Sequence, residues 1–220
     1  MTRTTNARIA GFTYLFYIVA GVTTLALDRA TKAGMAEHAA LVRVSVLLSL
    51  LLCVTALTLA VSLYAITRDV DRDLAVLACA CRIGEGMLGA VAPMTTLGLL
   101  WLATSGAAAD AGGGAATLGA FLHQVGQWNT LIAAILFSVG STLFSWLFLR
   151  GRMIPVPLAW LGVVGSALLV VGLPLQLAGF LAGPVTQLMW VPVAVFELTL
   201  GPWLLIKGVP SGVSSTPSVA

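Results

Sequence analysis

"VSVLLSLLLCVTALTLAVSLYAIT", residues 44–67, holds no charged side chain. A bilayer's hydrocarbon core is about 30 Å thick, and a helix needs about 20 apolar residues to cross it. Residues 44–67 meet that length, and comparable stretches recur along the chain. Of 220 residues, 59% are hydrophobic and 9% are charged. Soluble domains carry about 25% charged residues, so this composition excludes one. The fold expected is an all-α integral membrane bundle of six transmembrane helices. The spans read as 10–27, 44–67, 74–104, 120–149, 156–178 and 184–206. Residues 1–207 then form a single transmembrane domain. The Pro/Ser-rich segment 208–220 reads as a disordered tail.

The third and fourth spans exceed one crossing, so they tilt or project beyond the bilayer. The first follows Arg3 and Arg8, as a signal peptide's apolar segment would. Its length and the lack of a small-x-small cleavage site make it a retained span. The connection "SGAAADAGGGAAT", 105–117, is Gly/Ala-rich and is expected to be a flexible loop.

Cations orient the bundle. With an even number of spans and a cytoplasmic N-terminus, Arg3, Arg8, Arg68, Arg72, Arg150, Arg152 and Lys207 fall inside, seven in all. Arg29, Lys32 and Arg43 fall outside, three in all. Cytoplasmic loops carry the excess of Lys and Arg, which places both termini in the cytoplasm. The same topology puts Trp101, Trp128 and Trp190 near outer span ends, and Trp146, Trp160 and Trp203 near inner ones. That is the pattern of two aromatic belts. The net charge of +3 forms no basic stripe with interleaved aromatics, so no nucleic-acid partner is expected.

Within the third span, "ACACRIGEGMLGAV", 78–91, keeps Arg82 and Glu85 in an apolar helix. Glu197 lies as deep in the sixth. Each charge costs roughly 2.5–3.5 kcal/mol at a helix centre, so these three are expected to face the bundle interior and find partners. Arg82 and Glu85, three apart, share a helix face. At 1.5 Å per residue, Arg82, Glu197 and Glu85 lie about 13.5, 15 and 18 Å from the inner edge. Arg82 is therefore expected to pair with one or both glutamates. Pro93 and Pro192 each remove a helix hydrogen bond, freeing the carbonyls of Gly89 and Leu188. Such interruptions line cavities, although prolines are also common in membrane helices generally.

A second polar group stands in "FLHQVGQWN", where His123 and Gln127 share a face that Thr130 continues. It reads as a proton-carrying site or as an ordinary interfacial histidine. The first span offers Tyr14 and Tyr17, with Thr13, Tyr17 and Thr24 as one polar stripe. Cys79 and Cys81 have no further cysteine or histidine nearby in sequence, so no metal site and no disulfide framework is expected. Phosphate-loop, nucleophile-elbow, HExxH and CxxCH motifs are all missing, and no cofactor is expected. No internal repeat of the transporter kind is visible.

Several stretches together resemble one family. "RIAGFTYLFYIVAG" opens the chain, the third span carries Arg82 and Glu85, "RGRMIPVPLAWLGVVG" opens the fifth span, and "FELTLGPWLLIKG" closes the sixth. They are similar to a family of small bacterial polytopic membrane proteins, catalogued as a domain of unknown function, number four-three-eight-six. The resemblance covers nearly the whole chain. It implies about six spans and a bacterial inner-membrane location, and it brings no reaction with it.

Three function classes follow from the residues. The first is an intramembrane enzyme acting on a lipid or isoprenoid, similar in its logic to small membrane-bound terpene cyclases. Glu85 or Glu197 would supply the proton, and Arg82 would hold the other carboxylate ionised. Tyr17, Trp190, His123 and Gln127 would contact the substrate. The second class is a proton-coupled transporter using the same carboxylates and His123 as a relay. The third is a structural or regulatory membrane protein whose Arg–Glu pair fixes helix register. An enclosed apolar pocket favours the enzyme, a wet path through the bundle favours transport, and solid packing favours the structural role. The partners expected are the bilayer and one small lipid-like molecule; oligomeric state is left open.

Overall fold

The computed structural model describes residues 2–31, 34–105 and 113–210. The described residues form helices and no strand. Six segments are long and apolar enough to cross a membrane. The first two are α1 (Arg3–Thr31) and α2 (Ala39–Thr67). The third span is divided into α3 (Arg72–Gly89) and α4 (Val91–Thr104). Then come α5 (Gly113–Arg150) and α6 (Val156–Leu177). The last span is divided into a single turn, α7 (Val185–Leu188), and α8 (Val191–Ile206).

The helices outrun the apolar stretches. α1 begins at Arg3 rather than at residue 10, α2 at Ala39 rather than at 44, and α5 at Gly113 rather than at 120. Hydropathy reports only the part of a helix that meets hydrocarbon, whereas backbone bonding continues past it. The expected loop 105–117 is corrected accordingly: residues 113–117 belong to α5, and 106–112 lie outside the described residues. Of the expected tail, 211–220 also lie outside them.

Local chemistry sets several helix ends. Asp71 caps α3 by accepting the Leu74 N–H at 3.2 Å, satisfying one of the bare donors of a helix start. Its other oxygen takes Nη1 of Arg150 at 3.1 Å, tying α3 to the end of α5. Pro155 precedes α6 and a second proline sits in its first turn, where a missing N–H costs nothing. Between α5 and α6, Arg152 turns the chain with φ of 47°.

The spans pack in chain order around a closed ring. Each of α1, α2, α3, α5 and α6 contacts the next, α6 contacts α8, and α8 returns to α1. Glycine makes that closure possible. A Cβ at Gly11 would stand 2.5 Å from the Leu205 nitrogen and 2.7 Å from the Gly201 oxygen. The backbones of α1 and α8 therefore touch where a side chain would wedge them apart.

One half of the ring is filled. Leu59, Leu63, Ile66, Phe144, Phe148 and Leu204 are all essentially fully buried. At this end the Arg3 guanidinium donates to the Ile66 carbonyl from Nε at 3.2 Å and Nη2 at 2.9 Å. The outer surface is apolar, with Val22, Val61, Val164 and Val171 all more than half exposed. A surface that water would punish is the one acyl chains accept.

Thr13 and Thr24 are both buried on α1, as the expected stripe has them, but their hydroxyls bond within their own helix. Thr13 donates to Ile9 O at 2.7 Å and Thr24 to Ala20 O at 2.9 Å. A hydroxyl in hydrocarbon spends its proton on its own helix when no other partner is in reach. Tyr17 alone of the three reaches another span. The tryptophans divide similarly. Trp101, Trp128, Trp146 and Trp160 are exposed, whereas Trp190 is turned into the ring.

Candidate functional site

The site begins where the third span breaks. Pro93 has no N–H to offer, and the helix stops at Gly89 and resumes at Val91. The Ala90 N–H turns back to Met87 O at 3.1 Å. Asn129 of α5 donates its Nδ2 to Leu88 O at 3.0 Å and pins the break. In the sixth span Pro192 marks a matching break, with α7 ending at Leu188 and Trp190 preceding α8. Both proline interruptions lie at one partly open cavity of about 400 Å³.

α1, α2, the third span, α5 and α8 all contribute to the walls of that cavity. Glu85, Glu197, Tyr17, Trp190 and Phe137 are among its lining residues. It reaches from the level of Ser49 and Thr130 down to Ala56 and Glu197. Below lies the packed half of the ring.

Arg82 sits just behind the wall, 1% exposed, and Glu85 is 7% exposed. Their Nη1 and Oε2 atoms are 3.0 Å apart, within one helix. The contact is electrostatic rather than an aligned hydrogen bond, and none of the three Arg82 nitrogens has a hydrogen-bond acceptor among the described residues. The guanidinium carbon lies 4.7 Å from the centre of the Phe137 ring, a cation–π seat for a buried charge. Phe137 in turn stacks on Trp190 at 6.0 Å. On the other side of Glu85, the Tyr17 hydroxyl donates to Oε1 at 3.1 Å. Glycine makes room for the arginine stem: a Cβ at Gly140 would lie 3.0 Å from Arg82 Cγ.

Glu197 is the counterpoint. Its Oε1 is buried and has no hydrogen-bond partner among the described residues. Arg82 pairs with Glu85; it makes no bonded contact with Glu197. The cavity thus holds two carboxyls in different settings, one paired with a cation and a phenol, the other with a buried oxygen that no described group hydrogen-bonds.

Of the residues singled out from sequence, Glu85, Glu197, Tyr17 and Trp190 line the cavity and Arg82 backs it. His123 and Gln127 do not line it, and both are exposed. At 1.5 Å per residue His123 lies about 40 Å along α5 from Arg150, beyond one hydrocarbon thickness. Trp190, expected both near an outer span end and against substrate, lines the cavity. Phe137 and Asn129 were not anticipated. An asparagine inside an apolar span is as conspicuous as a charge, so Asn129 had a signal; a phenylalanine among many had none. No group of three His, Cys, Asp or Glu side chains is placed to hold a metal among the described residues.

Comparison with curated proteins gave no match, and comparison with solved structures gave none. The family model described as "Domain of unknown function (DUF4386)" matches residues 9–208, most of the chain and every span of the ring. This multi-pass membrane protein therefore belongs to the DUF4386 family.

Proposed function

We propose that the protein is an intramembrane enzyme that rearranges a lipid-like or isoprenoid molecule by acid catalysis. The observation that carries this reading is the contrast between its two cavity carboxyls. Glu85, with Arg82 at 3.0 Å and the Tyr17 hydroxyl at 3.1 Å, is the anion. Glu197, with no partner on Oε1, is the proton donor. Two carboxyls pushed into different roles by their surroundings form a recurring acid–base arrangement. The proton leaves the Glu197 carboxyl as a C–H bond forms on a substrate double bond. The resulting cation returns a proton from a neighbouring carbon to the same carboxylate, so no co-reactant is consumed. Trp190 and Phe137 offer ring faces to a passing positive charge.

The packed half of the ring speaks against a continuous conducting path, and the exposed His123 speaks against a relay through it. The cavity speaks against a purely structural role for the cluster. The bacterial cytoplasmic membrane, with both termini inside, is the location we infer from the excess of cations at the Arg3 and Arg150 end. Cysteines introduced at residues 4 and 36 check this orientation: a membrane-impermeant thiol reagent added to intact cells is expected to label only the second.

The deciding experiment uses the purified protein in lipid nanodiscs, incubated with isoprenoid alkenes, alcohols and epoxides and followed by mass spectrometry and chromatography. Wild type is expected to yield an isomer or cyclised product, and Glu197→Gln to yield none while keeping the wild-type thermal midpoint. Equal product from wild type and Glu197→Gln would overturn the assignment.

A further inference from the structure

The polar groups of the cavity wall have mostly spent their protons. Ser49 donates to Ser45 O at 2.9 Å and the Cys53 thiol to Ser49 O at 3.2 Å. Thr130 donates to Gly126 O at 2.9 Å, and Tyr17 to Glu85 at 3.1 Å. Asn129 has committed an N–H to Leu88 O at 3.0 Å. What these groups leave is mainly acceptors, hydroxyl lone pairs and the Asn129 amide oxygen, and the Glu197 carboxyl stands among the lining groups. The indole of Trp190 adds one N–H.

Charge narrows the occupant further. No lysine, arginine or histidine lines the cavity. The guanidinium behind the wall is already matched by Glu85 at 3.0 Å. A phosphate or diphosphate, which accepts hydrogen bonds and carries negative charge, would meet two carboxyls and no free cation. A hydroxyl donates one hydrogen bond, accepts another and brings no charge. The cavity is about 400 Å³ and partly open, so it takes the hydroxyl-bearing end of a longer molecule as well as a short one.

We propose that the cavity selects a neutral, hydroxyl-bearing isoprenoid or lipid fragment, whose hydroxyl donates to the carbonyl oxygen of the protonated Glu197 carboxyl. This deepens the acid-catalysis reading of the same site and rests on it for the identity of that site. It concerns recognition, however, so binding tests it separately from turnover.

The experiment is equilibrium binding to the full-length protein in detergent, read by tryptophan fluorescence and native mass spectrometry. The probes are geraniol, geranyl diphosphate and the ten-carbon hydrocarbon myrcene. Geraniol is expected to bind at least tenfold more tightly than either of the others. Glu197→Leu is expected to remove that preference and leave myrcene binding unchanged. Glu197→Gln, which retains an acceptor oxygen, is expected to keep most of it. Diphosphate or hydrocarbon binding as tight as the alcohol overturns the proposal, as does binding of none of the three. Alcohol binding without conversion upholds it and removes the catalytic reading instead.

Discussion

Glu85→Gln and Arg82→Gln break the same contact, yet they are expected to cost different amounts. At 3.0 Å and an effective dielectric of about 20, two unit charges attract by about 5 kcal/mol. Removing one partner of a buried pair leaves the other uncompensated and costs about 3–5 kcal/mol. In Glu85→Gln the survivor is a guanidinium that is 1% exposed and cannot give up its charge. The Phe137 ring seats the guanidinium before and after the change, so it offsets none of this, and a net loss of about 3–5 kcal/mol is expected. In Arg82→Gln the survivor is a carboxyl, which escapes its charge by binding a proton and keeps its Tyr17 bond. A loss of about 1–2 kcal/mol, the scale of one compromised buried polar group, is expected there. The assay is unfolding in mixed micelles followed by tryptophan fluorescence, with the double variant closing the cycle. Glu197 is the next carboxyl within electrostatic reach of Arg82, so Glu85→Gln and Glu197→Gln together should lose more than the two losses added. Equal costs for Glu85→Gln and Arg82→Gln, or a Glu85→Gln loss below about 1 kcal/mol, would refute this account.

Three further outcomes are expected. Gly11→Ala places a methyl 2.5 Å from the backbone nitrogen of Leu205; neither helix can yield locally, so a loss of about 3 kcal/mol, at the top of the overpacking range, should appear as a lowered thermal midpoint in detergent. Phe137→Ala removes both the seat of Arg82 at 4.7 Å and the stacking partner of Trp190, and should cost about 3–5 kcal/mol with a shift in Trp190 fluorescence that Phe121→Ala, on the outer surface, would not produce. Arg152→Gly relieves a left-handed residue with φ of 47° and should raise stability by about 1 kcal/mol, read in the same micelle titration.

The six spans were legible because hydrocarbon demands a long apolar stretch and little else produces one. The site was legible where a residue contradicted its setting: Arg82, Glu85 and Glu197 cost too much in hydrocarbon to be incidental, and Pro93 and Pro192 marked both breaks. Trp190 reads in two ways, as a belt residue near a span end and as a substrate contact, and its place in the cavity wall favours the second. His123 reads as a proton carrier or as an ordinary interfacial histidine, and its exposure fits the second. Phe137 could not be singled out at all, since its role depends on which of many aromatic side chains stands opposite Arg82. The ring order of the helices, and hence the cavity, came from packing between spans, on which a single sequence is silent.

The pairing of Arg82 with Glu85 inside one helix has a consequence for how the chain enters the membrane. Spans emerge in order during synthesis, and Arg82 is made more than a hundred residues before Glu197. Had Arg82 depended on the sixth span for its counter-charge, it would have waited in lipid as a bare cation. Its partner instead lies one turn away on the same helix, so the third span can be handed to the bilayer as an electrically neutral unit. Tyr17, which holds the other oxygen of Glu85, belongs to the first span and is already there. Half of the cluster is thus assembled by three spans, and Glu197 arrives last to close the ring.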